Sequence, residues 1–285
     1  MNVKLCAFAD EASPNLSEQI EELNKNNVPY LEIRGVNGKN IFDATIEDAK
    51  EWKKQLDEGG IKVWSIGSPI GKIKPDEPWC EYIEKVKNLF EVAKVLDCTH
   101  VRIFSFFTKE YSKYSDFVVE KLKELCALAS EYGLLLCHEN EKGIFGDVAP
   151  RCNYLLSSVP SLACVFDPAN FIQSGQDIPP ALDLLKGKIE YYHIKDAKKD
   201  TGAIVPAGRG DGALDMVVDS ICKDTVLTLE PHLTVFDGYA NIDETELKHE
   251  FIYPDPKTAF KVAVDSIKEI LKQKGYTEEN KTWRK

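Results

Sequence analysis

The chain has 285 residues, a length that allows one large domain or two small ones. Apolar residues make up 43% and charged residues 29%, a globular composition that excludes wholesale disorder, and no apolar run is long enough to predict a membrane helix. The net charge of −11 argues against nucleic acid as a partner, because binding a phosphate backbone requires clustered Lys and Arg side chains.

Short runs rich in β-branched and aromatic residues alternate with longer amphipathic stretches along the whole chain, which predicts alternating strands and helices. The predicted helices include 45–60, where Thr45 is the N-cap, Asp48 completes a capping box and a Gly pair ends the helix. The others are predicted at 16–27, 79–96, 115–133 and 256–275. The predicted strands are LCAFA (5–9), YLEIR (30–34), KVWSIG (62–67), HVRIFSF (100–106), LLLCHE (134–139), LACVFD (162–167), IEYYHIK (189–195) and VLTLE (226–230).

Eight strand–helix units without a break in composition predict an α/β fold, a single (β/α)8 TIM barrel spanning residues 1–285. The competing fold is a doubly wound open sheet, but the first strand–helix turn lacks its Gly-rich phosphate fingerprint. Residues 231–255 form the longest connection, between the eighth strand and the last helix, and are predicted to be a lid or an interface arm. The charged segment 276–285 is predicted to be a frayed tail.

The eight cysteines show no CxxC pair and no dense spacing, so we expect them to be reduced and mostly buried. The first ten residues, MNVKLCAFAD, lack the layout of a signal peptide. Together these features predict a cytoplasmic protein.

Polar side chains lie at or near the carboxyl ends of the fifth to eighth predicted strands. Successive side chains of a barrel strand alternate between the helix layer and the barrel interior, and these side chains fall on the inward faces. The carboxyl ends of barrel strands are where such enzymes carry their chemistry. The four inward side chains at these ends are Glu139, Asp167, His193 and Glu230.

Three carboxylates and one imidazole at the same barrel mouth would repel one another when the acids ionise. A divalent cation would remove that cost, and mixed oxygen and nitrogen ligands suit Mn²⁺, Mg²⁺, Co²⁺ or Zn²⁺. The alternative is that each residue caps a strand or forms an ordinary ion pair.

Four segments carry a resemblance to a known family. HEN (138–140), FDPANF (166–171), HIKDA (193–197) followed by PAGRGDG (206–212), and LEPH (229–232) resemble the xylose-isomerase-like TIM barrels of the sugar phosphate isomerase/epimerase family. The resemblance implies that Glu139, Asp167, His193 and Glu230 bind one divalent metal ion, with Mn²⁺ expected and Mg²⁺, Co²⁺ or Zn²⁺ as alternatives. It also implies that Glu139 and Glu230 exchange protons with a small carbohydrate substrate, and analogy with relatives suggests a homo-oligomer.

The reaction expected from this resemblance is isomerisation or epimerisation of a sugar, sugar phosphate or cyclitol through an enediolate. The same site could instead eliminate water or an alkoxy group, as a lyase or dehydratase acting on a keto-sugar, an inosose or a 3-keto-glycoside. An endonuclease IV-like nuclease and a noncatalytic binding barrel are further alternatives. Asn170 and Lys199 replace the His and Arg typical of ketose 3-epimerases, which argues against that branch.

Further polar residues near the strand ends are candidates for substrate binding. Lys195 lies two residues after His193 and shares its inward face, so it could contact a substrate oxygen or a phosphate, or pair with a carboxylate. Arg209 lies in the Gly-rich loop after the seventh strand, a region where barrels often bind phosphate. Asn170, His232 and Glu32 complete the predicted substrate-binding set. An alternative for Glu32 is an interior salt-bridge cluster with Arg34 and Arg102.

Overall fold

The computed structural model describes residues 1–234, 248 and 250–285, and its strands follow the predicted runs closely. In chain order the strands are β1 (Asn2–Ala7), β2 (Tyr30–Ile33), β3 (Gly35–Val36), β4 (Lys39–Asn40), β5 (Lys62–Gly67), β6 (His100–Ile103), β7 (Leu135–Glu139), β8 (Ala163–Phe166), β9 (Ile189–Ile194), β10 (Asp196–Ala197), β11 (Ile204–Val205), β12 (Thr225–Leu229), β13 (Thr277–Glu279) and β14 (Thr282–Arg284).

Within the described part of the chain, eight parallel strands form a closed ring. The order is β1, β2, β5, β6, β7, β8, β9 and β12, and β12 pairs with β1 to close it. The β1–β12 register runs from Val3 opposite Thr225 to Ala7 opposite Leu229. A doubly wound sheet has two free edges, whereas this ring has none, so the predicted (β/α)8 barrel is confirmed.

Helices on the outside of the ring connect successive strands. The predicted capping box is present at the start of the helix Ile46–Glu58, where Thr45 Oγ1 accepts from Asp48 N and Asp48 Oδ2 accepts from Thr45 N. None of the described helices is both long and apolar enough to cross a bilayer. The helices are α1 (Leu16–Lys25), α2 (Ile46–Glu58), α3 (Trp79–Val95), α4 (Tyr111–Glu131), α5 (Ala149–Ser158), α6 (Pro168–Gln173), α7 (Ile178–Leu185), α8 (Leu214–Asp219) and α9 (Pro256–Gln273).

Two hydrophobic layers hold the barrel together. The larger layer lies between strands and helices and includes Ile33, Val101 and Ile194 from the outward faces of the strands. The smaller layer fills the barrel interior and contains Cys6, Cys137, Val165, Tyr191 and Val226. Because side chains alternate along a strand, the residue two positions after each interior residue also points inward, nearer the carboxyl end. This alternation places the polar site directly above the apolar interior layer.

The carboxyl terminus differs from the expected frayed tail. β13 and β14 form a hairpin, and β14 pairs antiparallel with β1, with Trp283 opposite Val3. The Trp283 side chain is 1% exposed and belongs to the main hydrophobic core. Burial of this one large aromatic side chain therefore orders a segment whose charged composition predicted disorder.

Replacing Trp283 by Ala is expected to lower the free energy of unfolding by about 3–5 kcal/mol, as for other fully buried aromatic side chains. Denaturant unfolding monitored by circular dichroism measures this loss. Arg284→Ala is the matched control, because Arg284 is exposed and its ion pair with Glu279 lies at the surface. Equal stability of the Trp283→Ala variant and the parent would contradict the packing of this hairpin.

The predicted lid or interface arm at 231–255 falls largely outside the described residues, which omit 235–247 and 249. The described start of this connection, Pro231–Leu233, is buried. The functions predicted for the arm therefore remain predictions.

Candidate active site

The four predicted ligands lie at the carboxyl ends of neighbouring strands. Glu139 is the last residue of β7, Asp167 directly follows β8, His193 lies within β9 and Glu230 directly follows β12. The interior residues Cys137, Val165 and Tyr191 lie two positions before the first three of them. The period-two alternation of strand side chains is therefore what directs these polar groups into the mouth of the barrel.

The structure brings these four side chains into one cluster. Each offers a ligand atom, these atoms all lie within 4.8 Å of one another, and all four residues are buried. His193 Nδ1 lies 3.1 Å from Glu139 Oε1 and 3.3 Å from Glu230 Oε2. Among residues 1–234, 248 and 250–285, it is the single group of three or more His, Cys, Asp or Glu side chains with such spacing.

Asp167 is held in place by its neighbours in sequence and in the sheet. Its Oδ1 accepts a hydrogen bond from the Asn170 backbone and caps the short helix α6. Asn140 clamps its backbone, because Asn140 Nδ2 donates to Asp167 O and Asn140 Oδ1 accepts from Asp167 N, both at 2.9 Å. Asp167 Oδ2 is buried, accepts no hydrogen bond in the described structure, and lies 3.0 Å from Lys195 Nζ.

A different arginine accompanies each of the two glutamates. Arg102 Nη1 donates to Glu139 Oε2 at 2.7 Å, and Arg34 Nη1 donates to Glu230 Oε1 at 3.0 Å. Both arginines are at most 4% exposed. The salt-bridge cluster considered as an alternative for Glu32 therefore takes another form, in which Arg102 binds Glu139 and Arg34 binds Glu230 together with two further acids.

The charges of the cluster give its acids very different proton affinities. Burial alone would raise the pKa of Glu139, but His193 and Arg102 outweigh burial and hold that pKa at about 2. Lys195 and His193 likewise hold the pKa of Glu230 well below its usual range despite burial. Burial raises the pKa of Asp167 to about 7, opposed by Lys195 and reinforced by Glu139 and Glu230.

The donor set fits a divalent cation. Burial would lower the pKa of His193, but Glu139 and Glu32 raise that pKa well above its usual range, so the imidazole shares a proton with the acids. His193 Nε2 lies 3.3 Å from Glu32 Oε2, which leaves Nδ1 facing Glu139 and Glu230. A metal-binding imidazole typically has this arrangement, with a carboxylate bonded to the ring nitrogen opposite the ligand nitrogen.

Metal affinity is expected to fall as the pH decreases through 7. A carboxylate ligand binds in its ionised form, and Asp167 has a pKa of about 7, so protons compete with the metal below that pH. Asp167 alone predicts about tenfold weaker binding at pH 6 than at pH 8, and proton loss from His193 steepens the dependence. Titration with Mn²⁺ against a chelator at both pH values measures this ratio. Equal affinities would contradict the proposed ligand set.

The structure places four of the five predicted substrate-binding residues in or beside the cluster. Lys195 Nζ lies 3.0 Å from both Asp167 Oδ2 and Glu230 Oε2. Asn170 Nδ2 donates to Glu139 Oε1 at 3.0 Å, and His232 Nε2 lies 3.6 Å from Glu230 Oε1. Glu32 is fully buried beneath His193 and also accepts a hydrogen bond from Tyr191. Its contacts with His193 and Tyr191 favour a positioning role for this carboxylate, and its binding of substrate stays a prediction.

Arg209 is not part of the cluster. Its side chain is exposed and lines a surface groove with α9 residues that include Val262 and Glu269. The barrel position of its loop suggested a phosphate site, but the loop turns this side chain toward the outer helix.

Sequence reasoning missed the acids that follow β1. Arg34 pairs with Asp10 at 2.9 Å and with Glu11 at 3.3 Å, and Glu11 Oε2 accepts from the His232 backbone at 2.7 Å. His232 has a positive φ of 44°, an uncommon conformation for a residue other than Gly. The sequence did contain a signal for these residues, because the two adjacent acids of the FADE segment directly follow the first predicted strand and so lie at the same end of the barrel as the cluster.

Comparison with solved structures gives the same fold at low sequence identity. An IolI protein with a bound zinc atom aligns with a TM-score of 0.71 and 20% identity, over 95% of this chain and 98% of that protein. The probable 3-DHS dehydratase AsbF from Bacillus anthracis aligns with a TM-score of 0.73 and 17% identity, over 94% and 99%. D-psicose 3-epimerase from Clostridium cellulolyticum H10 aligns with a TM-score of 0.71 and 14% identity, over 94% and 98%.

Sequence comparison assigns the chain to a family. No curated protein sequence matches it significantly. Residues 20–251 match the family described as xylose isomerase-like TIM barrel, which confirms the resemblance carried by the HEN, FDPANF, HIKDA and LEPH segments. Since this match spans most of the barrel, the chain belongs to the xylose isomerase-like TIM barrel family.

Proposed function

We propose that this protein is a divalent-metal-dependent isomerase or epimerase of a sugar, sugar phosphate or cyclitol. The observation that carries the proposal is the buried cluster of Glu139, Asp167, His193 and Glu230, whose ligand atoms lie within 4.8 Å of one another. In this proposal the four side chains hold one metal ion, with Mn²⁺ expected. Glu139 and Glu230 are also the acid and base groups.

The bound cation would supply electrostatic stabilisation of the negative charge that develops when a carbon next to a carbonyl loses its proton. This charge belongs to an enediolate of the substrate. A carboxylate of Glu139 or Glu230 takes the proton, since the low pKa of both groups keeps them ionised at neutral pH. Arg102 and Arg34 hold these carboxylates in place, which limits the reorganisation that proton transfer requires.

Lys195 is the proton donor in this proposal. Its ammonium group is buried and lies 3.0 Å from both Asp167 and Glu230. From there it can protonate an oxygen of the substrate while Glu230 removes the proton from the carbon next to the carbonyl. Glu230 returning its proton to the neighbouring carbon gives isomerisation. The other glutamate, after taking up a proton from solvent, gives epimerisation by delivering that proton to the opposite face of the same carbon. In either case an enediol oxygen returns a proton to Lys195.

The same donor also supports a second candidate, elimination by a lyase or dehydratase. An ammonium group beside the base can protonate a leaving hydroxyl group, and AsbF, which shares the fold, is described as a probable dehydratase. The two reactions differ in product mass, because isomerisation conserves mass whereas dehydration loses water.

Solvent exchange tests the proposal. The metal-loaded protein is incubated in D₂O with a panel of keto-sugars and cyclitol ketones, and products are analysed by proton NMR and mass spectrometry. The proposed function predicts deuterium incorporation next to the carbonyl with the carbon skeleton and its oxygens retained. Loss of water would identify the dehydratase, and an absence of exchange throughout the panel would contradict both reactions.

A further inference from the structure

We propose that the substrate carries no phosphate or other anionic group and is an uncharged polyhydroxy ketone, either a free keto-sugar or a cyclitol ketone. This inference rests on the proposed function and narrows its substrate class. Two independent features support it: an aspartate fills the anion-binding position of the Gly-rich loop, and acidic partners accompany the cations buried at the mouth.

The Gly-rich loop after β9 has the composition of a phosphate cradle, but its backbone donors already bind a carboxylate. Asp196 Oδ2 accepts from Gly208 N and Gly210 N, both at 2.9 Å. Asp196 Oδ1 accepts from Gly212 N at 2.8 Å and from Ala197 N at 2.9 Å. Backbone N–H groups that converge in this way are what TIM barrels and related folds use to bind phosphate.

The loop backbone packs directly against the Asp196 carboxylate. A Cβ atom added to Gly210 would lie 2.3 Å from Asp196 Oδ1, and one added to Gly212 would lie 2.7 Å from the same atom. The glycines therefore allow the backbone to approach the carboxylate closely. An external phosphate at this position would be repelled by the buried Asp196 carboxylate, which already accepts hydrogen bonds from the same N–H groups. The loop therefore binds a side chain of this protein, and these N–H groups are not free to bind a phosphate.

The buried cations at the mouth are each paired with acids of this chain. Arg34 binds Asp10, Glu11 and Glu230, and Arg102 binds Glu139. Lys195 lies between Asp167 and Glu230. A phosphate that bound any of these cations would have to compete with a carboxylate that already forms an ion pair with it.

Two lysines of the neighbouring loops also have interaction partners within this protein. Lys72 Nζ lies 2.8 Å from Glu141 Oε2, and the Lys72 side chain is only 11% exposed. Lys142 in the loop after β7 likewise has an interaction partner. Residues 235–247 cannot supply a further Lys or Arg, because their sequence, VFDGYANIDETEL, contains acids but neither basic residue.

The charge balance of the buried site also opposes an anionic substrate. Acids outnumber the lysine and arginine cations two to one among the buried ionisable groups around the cluster. Burial raises the pKa of Glu11 to about 8, and with Glu11 neutral the other five acids still balance the three cations and one divalent ion, so no positive excess remains for a phosphate dianion. Hydroxyl groups, in contrast, can donate hydrogen bonds to the carboxylates without adding charge. The buried acids are Asp10, Glu11, Glu32, Glu139, Asp167 and Glu230, and the buried cations are Arg34, Arg102 and Lys195.

Matched substrate pairs test this inference with the metal-loaded protein. The pairs are D-fructose with D-fructose 6-phosphate and D-ribulose with D-ribulose 5-phosphate, and 2-keto-myo-inositol and 3-dehydroshikimate are added as an uncharged and an anionic cyclic ketone. Deuterium incorporation from D₂O gives kcat/KM for each compound. We expect exchange with uncharged members and at least about a hundredfold lower kcat/KM for their anionic counterparts, since like charges in a desolvated site repel strongly.

The outcomes separate the inference from the function on which it rests. Equal or faster exchange of a phosphorylated ketose or of 3-dehydroshikimate would overturn the uncharged-substrate inference and leave the proposed function intact. Exchange with no compound, although the protein holds its metal, would contradict the proposed function and the inference together.

Thermal unfolding in inorganic phosphate tests the loop directly, with and without metal. The parent protein is expected to show no saturable stabilisation at millimolar phosphate, because Asp196 already binds the loop donors. Asp196→Ala would free those donors, so phosphate is expected to raise the Tm of this variant. Saturable stabilisation of the parent would overturn the inference whether or not the Asp196→Ala variant folds.

Discussion

Replacing Glu230 by Gln is expected to abolish catalysed proton exchange while the barrel remains folded. Gln has nearly the same shape as Glu, but its amide cannot accept a proton and is a poor metal ligand. Its NH₂ group would also face Lys195 or His193, which lie 3.0 Å and 3.3 Å from Glu230 Oε2. Loss of a general base typically costs about 10²–10⁴-fold, and loss of a ligand adds to it, so we expect a decrease of at least about 10³-fold.

Deuterium exchange measures this loss, and circular dichroism checks the fold. Glu190→Gln is the matched control, because Glu190 lies at the opposite end of β9 and pairs with Lys223 and His100. This control is expected to retain activity. Unchanged turnover in the Glu230→Gln variant would exclude Glu230 as an acid or base and remove the main support for the proposed reaction.

Replacing Glu32 by Gln is expected to weaken metal binding by about 10–100-fold, the usual effect of removing a carboxylate that orients a ligating histidine. Glu32 is fully buried, lies 3.3 Å from His193 Nε2, and accepts a hydrogen bond from Tyr191 at 2.9 Å. Gln keeps the shape but removes the charge that polarises the imidazole. Glu32 would thus act as a positioning residue that raises the basicity of His193.

Competition with a chelating indicator measures the metal affinity of the Glu32→Gln variant. Activity is then assayed at saturating metal, where a positioning role predicts recovery to within a few-fold of the parent. Tyr191→Phe removes the hydrogen bond to Glu32 and the 3.2 Å hydrogen bond between the Tyr191 hydroxyl and Ser65 Oγ, but it keeps the Glu32 charge, so it is expected to weaken metal binding less. Unchanged affinity in Glu32→Gln would show that His193 does not depend on this contact for metal binding.

Much of this site could be predicted because strand alternation is a local property. Once eight strands were assigned, the inward direction of Glu139, Asp167, His193 and Glu230 followed from the period of two. Their convergence then followed from the parallel order of β7, β8, β9 and β12. A local pattern and a closed ring are sufficient to place four side chains at one barrel mouth.

The partners of these side chains were much harder to predict. Arg34 and Glu230 are 196 positions apart in sequence, and their contact depends on β1 lying between β2 and β12 in the ring. Glu32 was predicted to bind substrate, yet it lies beneath His193, because alternation gives the face of a residue but not its depth. Composition also failed at the carboxyl terminus, where it predicted a frayed tail. The buried ring of Trp283 instead packs the final hairpin against the barrel, where β14 pairs with β1.

Metal content tests the central claim most directly. The untagged protein is purified, reconstituted with Mn²⁺, freed of excess ion and analysed by plasma mass spectrometry beside Glu139→Ala. The proposed four-ligand site predicts about one equivalent of divalent metal in the parent protein and little in the variant, because removing one ligand of a buried site weakens binding strongly. No metal in the reconstituted parent protein, or equal metal in both proteins, would contradict this site.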